Sequence, residues 1–185
     1  SKNALSKGNM KLIFDKDEFE SLLSSSRIEK TISGGSVANS IVGLSQLGNK
    51  VGFIGKVSDD KLGSKYEEGL KNENVNFHCF KKKEILPTGT CLILVTPDSE
   101  RTMCTFLGTA GKINADDISL NTVNKSDMVF LEGYLWDEGD PKKAFDKAIN
   151  NSKKIAMTLS DQFCVDRHKA HFLDLVKNKL DICFA

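Results

Sequence analysis

The chain has 185 residues, of which 39% are hydrophobic and 28% are charged, and its formal net charge is +1 at pH 7. A chain of this size and apolar content can enclose one substantial hydrophobic core. Its near-neutral charge predicts no nucleic-acid partner, because binding by counterion release needs a basic surface. No stretch is apolar enough for a membrane span, and the polar start at Ser1 is not a secretory signal, so we expect a cytoplasmic protein.

The hydrophobic periodicity predicts strands that alternate with helices along most of the chain. Strands are expected at residues 10–14, 30–32, 50–56, 128–131, 154–159 and 181–184, with two or three more between 75 and 107. Helices are expected at residues 17–27, 61–72, 141–151 and 168–179, besides one that follows the glycine pair at residues 34 and 35. This alternation predicts an α/β fold with a mostly parallel sheet flanked by helices, and the helix-free stretch predicts a small separate sheet.

The segment Ser33-Gly34-Gly35-Ser36-Val37-Ala38-Asn39 has the clearest functional signal. Two glycines let the backbone approach a ligand closely, and the free N–H groups of the following helix can donate to ligand oxygens. Asn39 lies one turn inside this helix, where its amide can reach back toward the turn. Gly48 is expected to end the helix in a left-handed conformation. A tightly packed Gly-Gly turn with Asn39 as a local cap is the alternative interpretation.

Four further segments extend this signal along the chain. They are Gly52 to Gly63, Pro87-Thr88-Gly89-Thr90-Cys91, the hairpin Thr96 to Met103, and Leu131-Glu132-Gly133-Tyr134. In this order, after the Gly-Gly-x-x-x-Asn turn, they resemble the ribokinase-like (PfkB) family of carbohydrate and nucleoside kinases. The last three are similar to its adenosine-kinase-like branch in particular. Ser58 stands where the family usually has glycine.

The resemblance implies that residues 1–185 form a partial ribokinase-like α/β domain, incomplete at both ends, with lid strands near residues 10–14, 30–33 and 75–107. It also implies an ATP- and Mg²⁺-dependent phosphotransferase that acts on a hydroxyl of a nucleoside or sugar, with adenosine as the first candidate. A sugar kinase of fructokinase or ribokinase type stays open. So does a truncated, non-catalytic chain that binds a ligand or dimerises. A homodimer through the lid strands is a further implication.

The resemblance assigns site residues by their positions in the matching motifs. The residues expected to bind the acceptor hydroxyls are Gly34, Gly35 and Asn39, and those expected to line a nucleoside pocket are Cys91, Met103 and Tyr134. Tyr134 is suited to stack on a base, although packing in the core is an equally open interpretation.

Arg101 in the hairpin matches an arginine that reaches the transferring phosphate when the lid closes in adenosine kinases. A fixed guanidinium suits the charge that develops there. The alternative for Arg101 is an exposed side chain beside Glu100 in a turn.

The sequence lacks several motifs that a complete kinase of this family would have. It contains neither the Gly-Ala-Gly-Asp motif that supplies the family's anion hole and base nor the metal-linked Asn-x-x-Glu motif. It also has no phosphate-binding P-loop, so a P-loop mechanism, which this family does not use, is not expected. The family's first strand, which carries a substrate-binding Asp, is also not present. We therefore expect an N-terminal and central part with no kinase activity alone, and an unpaired sheet edge at its last strand.

The cysteines and the basic run add no further site. The five cysteines form no Cys-x-x-Cys pair and are expected to be reduced: Cys79, Cys91, Cys104, Cys164 and Cys183. A metal site at Cys164, His168 and His171 lacks a second spaced cluster, so a loop that enters a charged helix is preferred. Lys81-Lys82-Lys83 is interpreted as a solvated turn rather than a phosphate contact.

Overall fold

The computed structural model describes residues 6–79, 84–136 and 139–185. Its strands, in chain order, are β1 (Met10–Leu12), β2 (Gly52–Ile54), β3 (Asn76–His78), β4 (Thr90–Val95), β5 (Arg101–Phe106), β6 (Val129–Glu132), β7 (Ile155–Thr158) and β8 (Ile182–Phe184). Its α-helices are α1 (Lys16–Ser24), α2 (Ser36–Gln46), α3 (Lys61–Asn72), α4 (Leu120–Lys125), α5 (Asp140–Asn151) and α6 (Gln162–Asn178). The predicted α/β class is confirmed.

A three-stranded sheet has the order β1-β5-β4. It contains strands from the region expected to form a lid, so this sheet and the helix that covers it are called the lid below. β4 and β5 are antiparallel and are joined by a tight turn in which the Thr96 N–H donates to the Glu100 carbonyl over 3.0 Å. Alternate residues of these strands point to one face, where Leu92, Cys104 and Phe106 are buried. Helix α1 covers this face, because Phe19 stacks on Phe106 with ring centroids 5.5 Å apart. The lid thus has a hydrophobic core of its own.

The body contains two parallel sheets, β2-β3 and β6-β7-β8. Parallel strands need crossover helices, and α3 connects β2 with β3, α5 connects β6 with β7, and α6 connects β7 with β8. The largest hydrophobic core surrounds Met157 of β7, which is fully buried together with Trp136 and residues of α5 and α6.

Helix α2 packs against both β2 and β6 and so joins the two body sheets. Val37 and Ala38 are its buried residues. Gly48 follows the end of the helix with a φ of 87°, a left-handed conformation that favours glycine. The predicted termination of this helix at Gly48 is confirmed.

The structure differs from the sequence predictions in several elements, among them the short helix α4, which was not predicted. Residues 30–33 form no strand, because the Thr31 carbonyl accepts from the Lys65 ammonium over 2.6 Å instead of pairing with another strand. β3, which was expected within the lid region 75–107, pairs in parallel with β2 in the body. α6 begins at Gln162 rather than at His168, where the backbone only kinks.

Two features of the described residues bear on the function classes considered above. No helix among them is long and apolar enough to cross a membrane. In the same part of the chain, no group of three or more His, Cys, Asp or Glu side chains is placed to hold a metal ion. The basic run at residues 81–83 lies outside the described residues.

We expect Phe19→Ala to lower the free energy of unfolding by about 3 kcal/mol, because it removes a buried ring and leaves a cavity between α1 and the lid sheet. Urea titration followed by circular dichroism measures this change. The matched control is Phe14→Ala, since Phe14 is 81% exposed and its truncation creates no cavity. Equal stabilities of the two variants would contradict the packing of α1 on the lid.

Candidate functional site

The turn before α2 has the geometry expected of a ligand-binding backbone. Gly35 precedes the first residue of the helix with a φ of 111°, which an L side chain rarely adopts. A Cβ atom on Gly34 would meet no other atom within 4 Å, so the space above this residue is open. Asn39 lies one turn further on and is exposed. The backbone N–H of Asn39 donates to the Gly35 carbonyl over 2.9 Å, so the Asn39 side-chain amide is not used in this bond.

A cleft of about 400 Å³ runs beside this turn, between α2, α3 and residues 31–34. Gly34 and Asn39 both line it, so the structure brings two of the predicted hydroxyl-binding residues to one cavity. The α3 side of the cleft supplies charged and amide groups from Lys65, Glu68 and Asn72. A cavity with such a lining offers both donors and acceptors to a polyhydroxylated ligand.

Glu132, the last residue of β6, contacts the first turn of α2 and was not among the predicted site residues. Its carboxylate accepts hydrogen bonds from the Ser36 hydroxyl and from the Val37 N–H. Burial raises the pKa of Glu132 above its ordinary value of 4.5, although the Val37 N–H acts in the opposite direction. Burial, followed by the charge of Glu132, also raises the pKa of Tyr66. The available signal was the position of Glu132 at the carboxyl end of a parallel strand, where α/β proteins place their sites.

Three predicted residues share one face of the lid sheet. Arg101 and Met103 alternate with the buried residues of β5, and Cys91 does so in β4. This face is opposite to the one that α1 covers, and it also exposes Ile93 and Val95. Arg101 itself is exposed. The structure therefore gathers the lid residues on an open, largely apolar surface.

Tyr134 is part of the body rather than of the lid. It lies in a 3₁₀ turn, Gly133–Leu135, directly after β6, and its ring packs 5.9 Å from that of Phe163. Its backbone N–H donates to the Ser160 hydroxyl over 3.1 Å. Burial raises the pKa of the phenol. These contacts correspond to the core-packing interpretation of Tyr134, and its half-buried ring lies at the same sheet end as Glu132.

The pattern of the pfkB family carbohydrate kinase matches residues 4–185. The chain belongs to this family. A curated relative, the 5-dehydro-2-deoxygluconokinase of Mesomycoplasma hyopneumoniae, is 27% identical over 158 residues, which are 82% of this chain and 47% of that protein. The resemblance seen in the sequence motifs is thus confirmed at the level of the family.

Solved structures give the same fold. The adenosine kinase from Sinorhizobium meliloti superposes with a TM-score of 0.89 at 36% identity, covering 97% of this chain and 56% of that one. A probable sugar kinase protein from Rhizobium etli superposes with a TM-score of 0.87 at 35% identity, again covering 97% of this chain and 56% of the other. The chain therefore spans about half the length of these relatives.

The raised pKa of Glu132 predicts a defined pH dependence of stability. The folded state holds the Glu132 proton more tightly than the unfolded chain, so the stability contributed by this residue falls as pH rises above 4.5. We expect the free energy of unfolding of the wild type, minus that of Glu132→Gln, to decrease from pH 4.5 toward neutrality. Urea titrations over this range measure the difference.

The control for that experiment is Glu29→Gln, because Glu29 is exposed. Its difference from the wild type should stay flat over the same range. A difference for Glu132→Gln that rises with pH would contradict the burial of this carboxylate.

Proposed function

We propose that this chain forms the acceptor-binding part of a kinase that transfers phosphate from ATP to a hydroxyl of a nucleoside or sugar. The observation that carries the proposal is the turn at Gly34 and Gly35, which opens α2 next to the cleft that Asn39 also lines. Membership of the pfkB family supports phosphotransfer as the reaction class.

The proposed chemistry assigns separate roles to the turn and to the lid. The backbone of Gly34 and Gly35 and the Asn39 amide hold the acceptor hydroxyls and so orient the attacking oxygen. Arg101 on the open face of the lid supplies positive charge for the transferring phosphoryl group. When bound, ATP supplies that group and Mg²⁺ neutralises charge on the phosphates. The residues that would hold Mg²⁺ belong to motifs that this sequence lacks.

Adenosine is the first candidate acceptor. The adenosine kinase from Sinorhizobium meliloti is 36% identical to this chain, whereas the curated 5-dehydro-2-deoxygluconokinase is 27% identical. The apolar lid face with Met103 and Cys91 suits an aromatic base better than a free sugar. A sugar acceptor is the second candidate, because the turn is proposed to bind only hydroxyls, which sugars and ribosides share.

Calorimetry on the 185-residue chain tests the acceptor site directly. We expect adenosine to bind more tightly than fructose or ribose. Asn39→Ala should weaken adenosine binding about tenfold, since it removes a hydrogen bond to a hydroxyl. Gln46→Ala is the matched control, because Gln46 is an exposed amide on the same helix and bonds to Glu73 outside the turn.

Two further measurements separate the alternatives. Tyr134→Ala should weaken adenosine binding if the ring stacks on the base and should leave sugar binding unchanged. An ADP-release assay with the same acceptors should show no turnover by this chain, because the Gly-Ala-Gly-Asp motif is absent from it. Tighter binding of fructose or ribose would replace adenosine by a sugar, and absence of any acceptor binding would contradict the proposed site.

The dimer expected from the lid strands stays a prediction. The strand order β1-β5-β4 leaves the outer edges of β1 and β4 as the places where a second chain would add a strand. A dimer formed face to face would instead use the open face that contains Met103.

A further inference from the structure

The lid hairpin is joined to the body at one compact root. Residues 86–89 lead into β4, and residues 107–109 lead out of β5. Thr109, which is 1% exposed, ties the two segments together. Its N–H donates to the Pro87 carbonyl over 2.9 Å, and its hydroxyl donates to the Leu86 carbonyl over 2.6 Å. The two ends of the hairpin are thereby held as one unit.

Two glycines bring these segments into backbone contact. A Cβ atom on Gly89 would lie 2.5 Å from the Leu107 carbonyl oxygen. One on Gly108, whose φ is 50°, would lie 2.3 Å from the Pro87 carbonyl oxygen. No side chain fits at either position, so the root cannot be repacked locally without separating the two segments.

The Asp60 carboxylate connects this root to the body, together with the Ser58 N–H and an ion pair between Lys56 and Glu84 over 3.5 Å. Asp60 accepts from the Thr88 N–H over 2.8 Å through one oxygen, and from the Thr88 hydroxyl over 2.8 Å through the other. The second oxygen also accepts from the Gly63 N–H over 2.7 Å, which caps α3. The Thr88 hydroxyl in turn accepts from the Ser58 N–H over 3.0 Å. Asp60 therefore holds the start of α3 and the lid root at the same time.

Two further features support the contact between Asp60 and Thr88: the charge of Asp60 and the close packing around it. Burial acts to raise the pKa of Asp60, but the hydrogen bonds from Thr88 and Gly63 lower it below the ordinary value of 3.8, so the carboxylate is ionised at neutral pH. Thr88 is 5% exposed. A Cβ atom on Gly63 would lie 2.1 Å from the Ser58 carbonyl oxygen, so the body side is also packed backbone against backbone.

The other connection between lid and body has a different character. Residues 26–35, between α1 and α2, form no helix or strand. Thr31 and Ile32 are exposed, and the Lys65 ammonium holds this segment through the Thr31 carbonyl. This path is long and mostly exposed, whereas Thr88 at the root is buried.

We propose that Asp60 is a positioning residue that fixes the angle between lid and body through Thr88, and with it the place where the lid presents Arg101 and Met103. The lid responds as a unit because α1 and the lid strands share one core. The inference does not depend on the identity of the acceptor or on phosphoryl transfer, since it concerns the geometry of the chain itself.

Three substitutions distinguish the contact between Asp60 and Thr88 from the cap that Asp60 forms on α3. Asp60→Asn keeps one side-chain oxygen, which still accepts from the Gly63 N–H and caps α3, as asparagine does well. The second oxygen becomes an amide NH₂ group, which faces the Thr88 N–H as donor against donor. Thr88→Val keeps the volume and the β-branch and removes both hydrogen bonds of the hydroxyl. Thr88→Ser keeps both bonds and is the matched control.

The lid angle is measured as the distance distribution between spin labels at Glu20 in α1 and Lys169 in α6, both of which are exposed. Genetically encoded reactive amino acids carry the labels, so the native cysteines stay in place. We expect one narrow distribution for the wild type and Thr88→Ser, and a shifted or broadened one for Asp60→Asn and Thr88→Val. Hydrogen exchange at the position 88 amide should rise about tenfold in those two variants.

The same exchange data distinguish positioning from loss of structure. Amides within the β4–β5 ladder and α3 should keep their wild-type protection in every variant. Unchanged distance distributions in folded Asp60→Asn and Thr88→Val would overturn the proposal, and so would loss of protection across the β4–β5 ladder. If Asp60→Asn does not fold, the comparison of Thr88→Val with Thr88→Ser decides, because Asp60 and its cap are intact in both. Unfolding of Thr88→Val would assign Thr88 to stability alone and would overturn the proposal.

Discussion

Helix α2 depends on the half-buried carboxylate of Glu132 at its first turn, and the arrangement of the body depends on α2. The helix packs against β2 and β6, which belong to two separate sheets. Gly35, which precedes the helix, has no side chain to cap the free N–H groups, so Glu132 from β6 accepts from the Val37 N–H and also from the Ser36 hydroxyl. The interaction that holds the two sheets together therefore also fixes the turn proposed to bind the acceptor.

The lid is a second unit with its own core, and the catalytic role proposed for it requires a defined orientation. A guanidinium stabilises a transferring phosphoryl group only if it is held at the correct place, and an error of about 1 Å is costly. The lid carries Arg101 at the start of a hairpin strand whose opposite face is buried under α1. Its position relative to α2 therefore depends on the root at Thr88 rather than on any contact made by Arg101.

Local sequence patterns predicted the elements whose boundaries are set by their own residues. Helix α3 begins and ends as predicted, at residues 61 and 72, because Asp60 caps its start and its apolar residues recur with helical spacing. The local sequence pattern gave a wrong prediction where a residue or strand far away in the sequence determines the pairing of the segment. Residues 30–32 have the composition of a strand, but a lysine of α3 takes the carbonyl that a neighbouring strand would have used. β3 was expected in the lid because it falls within residues 75–107, but it pairs with β2, because α3 returns the chain to that sheet.

By itself, the sequence determined the α/β class, the family and the conformation at Gly48, since these follow from periodicity, from motif order and from the freedom of glycine at positive φ. Only the tertiary structure showed that Glu132 contacts Ser36, 96 residues earlier, and that Asp60 contacts Thr88, 28 residues later. No short sequence pattern around these residues indicates that the two members of either pair are in contact. A carboxylate in a sequence does not reveal which N–H or hydroxyl groups it meets, because that depends on how strands and helices pack once their apolar faces are buried.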